Sequence, residues 1–477
     1  MTTRRRFLQQ GLVTAGALMG DQLFASSFNI AGKAFPKFSL LVTAEEVIYQ
    51  YLPANNGAGP MWANGLTTVV RVGKQVFASG LETVPEIKGL SKCRWMLFKR
   101  YDSGWMLEAK DLINLNREPC PIAVLNSREI LLSVNPKQAD ACTEYCLTHP
   151  EILRFNVENP RVSYTRLIPV WAKNPGFMDH SYRALAIDRS QQELILFQNY
   201  MYQHAEWSFL SGTGKWSANG ALQWPSDSYN GKEVPLRLCY SNVALKDKKV
   251  FFFSTADVVE PNEAWRTYKK QLTGANWDYV FRRLFFSWSD DITSGKFHPW
   301  IEIANLDLTA GYVRNQDLWL DAGGDAHLLW LESRLDERLR KEFFPDQKQK
   351  HSLCYAIFKG GRMLVKSDLL TYNEGESDAV FATGNARFHA LPGGRLFVLY
   401  YAAGTSADGG VIAENRIMEV FRDGSSSKPV VVPLKQPFTS FQTANERAGC
   451  MPGEYLDIIG VQQGKENTIS YGQVKIA

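Results

Sequence analysis

Five stretches of the sequence gather residues able to move protons and hold anions. Asp179-His180-Ser181-Tyr182-Arg183 is followed by Tyr200-Met-Tyr202-Gln-His204-Ala-Glu206-Trp207, with 24 residues from His180 to His204. Then come Arg237-Leu-Cys-Tyr240-Ser-Asn242 and Asp257-Val-Val-Glu260-Pro-Asn262-Glu263-Ala-Trp265-Arg266-Thr-Tyr268, and finally Tyr312-Val-Arg314. Histidine and tyrosine can act as general base and acid. Arginine holds carboxylates through charge-assisted bonds. Two acidic side chains flanking one bond would instead suit hydrolysis. These stretches supply the candidate site residues His180, His204, Tyr240, Arg183, Arg266, Asn242, Tyr312, Arg314 and Trp207.

A repeat in the chain decides whether these stretches meet. Seven segments share one pattern of strand, polar turn and apolar second strand: 69–80 (VVRVGKQVFASG), 122–135 (IAVLNSREILLSVN), 184–199 (ALAIDRSQQELILFQN), 243–255 (VALKDKKVFFFST), 318–333 (LWLDAGGDAHLLWLES), 387–402 (RFHALPGGRLFVLYYA) and 457–472 (DIIGVQQGKENTISYG). Their starts are 53, 62, 59, 75, 69 and 70 residues apart, leaving room for two further strands in each unit. Periodic four-stranded units predict an all-β, seven-bladed β-propeller over residues 36–477, each unit supplying the two inner strands of a blade. Residues 36–50 are expected to complete the last blade. A β-sandwich followed by a second β domain is the alternative. In a propeller, the loops before each first strand and after each second strand open on one face, so the five stretches belong to one rim.

The N-terminus reads Arg4-Arg5-Arg6-Phe7-Leu8, followed by an apolar run from Gly11 to Met19. This predicts a twin-arginine-type export signal over residues 1–25 and a periplasmic or secreted protein with no stable membrane anchor, most simply a monomer. The chain has 53 Lys and Arg against 49 Asp and Glu, a net +4, of which Arg4, Arg5, Arg6 and Asp21 contribute +2. Such a balance excludes a general nucleic-acid binder. Cys142-Thr-Glu-Tyr-Cys146 reads as a local disulfide or half of a metal site, and no second Cys or His pair completes a zinc pattern. The sequence holds no dinucleotide fingerprint, Walker loop, nucleophile elbow or haem pattern, so no metal and no cofactor are expected.

Ser287-Trp-Ser-Asp-Asp-Ile-Thr-Ser-Gly295, with Trp300 beyond it, resembles a degraded Asp-box of the BNR-repeat, sialidase-like propellers. The order of two histidines on one blade, then a tyrosine and an arginine on the next, resembles the propeller polysaccharide lyases that degrade ulvan. The resemblance implies β-elimination on an anionic, uronate-containing polysaccharide. His180 and His204 would be active-site histidines, Tyr240 the catalytic tyrosine and Arg266 the arginine that binds the substrate carboxylate. A cation beside that carboxylate stabilises the enolate-like transition state once the C5 proton leaves. Two rival readings use the same rim. A glycoside hydrolase would draw on Asp179, Glu206, Asp257 and Glu260, with Arg183, Arg266 and Arg314 as a sialidase-like triad that lacks the usual Arg-Ile-Pro segment. A non-catalytic sugar- or protein-binding propeller would use Trp207, Trp265 and Tyr268 for stacking.

Overall fold

The computed structural model describes residues 38–477 apart from 63, 140, 174, 230, 231, 276 and 277. The export signal expected over residues 1–25 lies outside the described residues. The inner hairpins are near-continuous apolar runs, as in Ala184–Ile187 against Leu194–Phe197, because both faces of each sheet are covered by neighbouring sheets. Seven four-stranded antiparallel sheets result. Their innermost strands are Val69–Val72, Ile122–Val124, Arg183–Asp188, Leu238–Lys246, Tyr312–Leu320, Ala379–Ala390 and Phe438–Thr443. Each innermost strand lies beside the next, and the first beside the last, so the sheets close into the predicted seven-bladed ring. Apolar clusters fill the spaces between successive blades, and one built from Tyr49, Phe98, Ile459 and Tyr471 seals the first blade against the seventh.

The seventh blade corrects one detail of the repeat. The segment 457–472 forms its second and third strands, Tyr455–Gln462 and Thr468–Ile476, while Phe438–Thr443 is innermost. That inner strand escapes the pattern because a long loop containing the turn Glu446–Ala448, instead of a tight polar turn, joins it to the second. The fourth strand is Leu40–Gln50, paired antiparallel from Leu40↔Ile476 to Gln50↔Thr468, as residues 36–50 were expected to be. The Tyr49 ring sits over Gly80, where an added Cβ would lie 2.7 Å from it. Deleting residues 38–50 would expose Thr468–Ile476 as a long unpaired edge and uncover Ile48 and Tyr49 packing, each worth about 1.5–3 kcal/mol. The expected outcome is a lowered melting temperature with light scattering on standing, both reversed by adding a peptide of residues 38–50.

Among the described residues two α-helices interrupt the strands: α1, Glu263–Thr273, after the second strand of blade four, and α2, Glu337–Phe343, at the same place in blade five. They pack through Trp265 and Tyr268 against Phe343 and Phe344. No helix among the described residues is long and apolar enough to cross a membrane. Cys142 and Cys146 form a disulfide, and the other five cysteines are buried thiols. In the segment resembling an Asp-box, Asp291 caps a turn by accepting from the Thr293 N–H at 2.9 Å, and Trp300 packs on Phe252 and Phe285.

Candidate active site

The backbone before the inner strand of blade three is pinned on both sides of His180. Asp179 donates its N–H to the Cys146 carbonyl at 2.9 Å, and Ser181 donates to Glu118 Oε1 at 2.9 Å. The His180 side chain is a quarter exposed, with Nδ1 3.5 Å from Glu118 Oε1 and without a hydrogen-bond partner among the described residues. On blade four, the register slips between Cys239 and Asn242, a bulge that re-aims Tyr240. Tyr240 adopts φ +55°, a left-handed conformation that costs a bulky residue about 1–3 kcal/mol and collects at functional sites. Asn315 Nδ2 holds the strained unit by donating to the Tyr240 carbonyl at 2.7 Å and to Asn242 Oδ1 at 2.6 Å. Gly65 closes over the bulge, where any Cβ would fall 2.4 Å from the Tyr240 carbonyl.

The loop ending at Gly65 inserts Trp62 between the two blades. Its ring stacks on Tyr182 at 5.1 Å and meets His180 at 5.6 Å and Tyr240 at 5.5 Å, while Tyr182 and Tyr240 meet at 5.0 Å. Behind this group, Tyr182 donates to Asp257 Oδ2 at 3.0 Å, and Arg237 pairs with the same oxygen. The Arg237 guanidinium lies over Tyr202 at 4.1 Å, with Tyr279 and Tyr182 beside it. Burial is the largest single influence and opposes its charge, but the Asp257 carboxylate together with Tyr182, Tyr202 and Cys239 outweighs it and holds the Arg237 pKa above the ordinary value. Burial pushes the Tyr240 phenol well above its usual range, with Tyr182 and Arg314 pulling only partly the other way. Tyr240 is therefore a proton donor at neutral pH.

Of the residues proposed from sequence, the fold brings His180, Tyr240, Tyr312 and Arg314 to this mouth. Arg314 stands beside Tyr240 and Tyr312, bonds the Tyr312 side chain, donates to the Gly384 carbonyl at 3.3 Å, and has no carboxylate within ion-pair distance among the described residues. Asn242 is fully buried beneath Tyr240, so it supports the bulge and does not reach a ligand. Four others lie apart. Arg183 is turned into the body, donating to the Pro119 carbonyl at 2.6 Å and the Ser133 carbonyl at 3.0 Å, which ties blade three to blade two. Trp207 is 1% exposed and packs on Gly220 of the adjacent strand. His204 heads the third strand of its blade, two strands out from the channel, bonded through Nε2 to Glu206 Oε1 at 2.7 Å. Arg266 is exposed on α1, with no partner among the described residues.

Trp62, Tyr182 and Arg237 were not among the proposed site residues. Trp62 precedes the first inner strand, the same position that marked His180, so the rule applied to blades three to five would have found it on blade one. The carboxylates that hydrolysis would need are all buried and engaged: Asp179 with Ser91, Glu206 with His204, Asp257 with Tyr182 and Arg237, and Glu260 with Arg282 and Lys269. No group of three or more His, Cys, Asp or Glu side chains among the described residues is placed to hold a metal ion.

Comparison with solved structures finds the same architecture in an ulvan lyase of polysaccharide lyase family PL25, bound to a GlcA(1-4)Rha3S unit. The TM-score is 0.50 at 8% identity, over 90% of this chain and 94% of that one. In fold, the chain is similar to a polysaccharide lyase. The chain is also similar to an α-L-arabinofuranosidase from Fusarium graminearum at 11% identity (91% of this chain, 98% of that one) and an α-L-arabinanase from Penicillium chrysogenum at 10% (91% and 98%), both with TM-score 0.42. No protein-family profile and no curated protein matches the sequence.

Proposed function

We propose that the protein is an exported polysaccharide lyase that cleaves a uronate-containing polysaccharide by β-elimination. The observation that carries this reading is the meeting of His180 and Tyr240 around the Trp62 ring, with Arg314, which has no carboxylate within ion-pair distance among the described residues, near Tyr240, and with the rim carboxylates buried. Arg314 holds the uronate carboxylate and stabilises the charge that grows on it. His180 removes the C5 proton, the C4–C5 double bond forms as the C4–O4 bond breaks, and the Tyr240 phenol protonates O4. Trp62 supplies an apolar face for the sugar ring. The Cys142–Cys146 disulfide suits an oxidising compartment and so supports export.

The test is incubation of the purified protein with a panel of uronate polysaccharides, ulvan included, following ultraviolet absorbance of unsaturated uronyl ends alongside new reducing ends. Both signals are expected to rise together, and His180→Ala is expected to slow both by about 10²-fold or more. Reducing ends without absorbance would mean hydrolysis. Neither signal across the panel would remove the lyase reading.

A further inference from the structure

The opposite end of the propeller, where first strands turn into second strands, carries a cavity of about 220 Å³. Its wall is largely apolar, built from Ile187, Leu245, Trp319, Leu320, Met451 and Pro452. Five charged side chains interrupt it: Asp188 and Arg189 from blade three, Lys246 from blade four, and Glu446 and Arg447 from the long loop of blade seven. Lys246 spends two of its three N–H bonds on the Asp321 and Ala322 carbonyls, each at 2.9 Å, leaving one. Arg189 donates only to the Gly449 carbonyl, at 3.3 Å. Neither cation has a carboxylate within ion-pair distance among the described residues.

We propose that this cavity is a binding site for a small organic carboxylate with an apolar body, held by Arg189 and Lys246 and independent of the His180–Tyr240 mouth. The remaining charges leave room for such an anion. Asp188 is occupied in capping its own turn and the next, accepting from the N–H groups of Ser190, Gln191 and Asp247. Arg447, also in the wall, is neutralised by Asp317 at 2.6 Å. Glu446 accepts from the Trp319 indole N–H at 2.5 Å, and burial pushes its carboxyl pKa up to about 7 against the pull of that bond and of Lys246. With Glu446 protonated, Asp188 balances only one of the two cations, and one positive charge stays open for the ligand. An incoming carboxylate raises the Glu446 pKa further, so binding takes up a proton near neutral pH and weakens as pH rises through that range.

Calorimetric titration of the full-length protein with benzoate, glucuronate, benzyl alcohol and inorganic phosphate tests the site. Benzoate is expected to bind saturably and more tightly than glucuronate, with heats that depend on buffer ionisation at about pH 7. Arg189→Gln should weaken benzoate about tenfold, and Glu446→Gln should keep the binding while abolishing proton uptake. Tyr240→Phe should change neither. Benzyl alcohol or phosphate binding as well as benzoate, an unaffected Arg189→Gln variant, or no heat with any probe would overturn the proposal. None of these results bears on the elimination assay.

Discussion

Tyr240→Phe is expected to lower the elimination rate by about 10²–10⁴-fold, the usual loss when a positioned proton donor is removed. The loss should fall on kcat, with KM within a few-fold, because the phenol matters when O4 departs and the ring that packs on Trp62 and Tyr182 remains. Stability should change little, since only the hydrogen bond between the Tyr240 and Tyr182 side chains, about 0.5–1.5 kcal/mol, is lost. The pH profile carries a second expectation. The active form of Tyr240 is protonated, and burial holds its pKa above the ordinary value of 10.0. Activity should therefore persist to about pH 10 without an alkaline decline from this group. Stability follows the same sign: the unfolded chain releases the phenolic proton first, so the contribution is complete below the unfolded pKa and is lost as pH rises towards the folded one. A Phe variant within a few-fold of wild-type kcat would remove Tyr240 from the chemistry.

The ring of blades was legible because its hairpins are short, apolar and punctuated by Gly, Asp and Lys, a pattern dictated by sheets covered on both faces. Phe438–Thr443 was not, because its partner in the hairpin lies beyond a long loop. The same limit governs the site. Topology correctly sends the segments around His180, Tyr240 and Arg314 to one mouth, since loop positions follow from strand order. Side-chain direction does not follow from strand order. Arg183 and Trp207 sit in strands enclosed by neighbouring blades, where direction is set by pleat and packing, and both turn inward. The positive φ of Tyr240 has no signature in its own residue type, and its cause is partly remote: Gly65 crosses the bulge from a loop 175 residues earlier. Trp62 reaches the site by the same crossing.

That crossing gives the Arg237–Asp257 pair a role in both stability and activity. The two residues are 5% and 2% exposed, and Asp257 also accepts from Tyr182, whose ring stacks on Trp62. Asp257→Ala would leave a buried guanidinium without its counter-charge, and breaking such a pair costs about 3–5 kcal/mol. The expected result is a large fall in the denaturant midpoint. Replacing both members, Arg237→Met with Asp257→Leu, should recover most of the loss, because no charge is then stranded and the Tyr182–Tyr202–Tyr279 box still packs around an apolar side chain. Activity separates the two roles. In the double variant Tyr182 has lost its acceptor, so the Trp62 stack is no longer fixed from below, and kcat/KM should remain reduced even where stability has returned. If kcat/KM recovers in step with the midpoint, the pair serves only to hold the blades together.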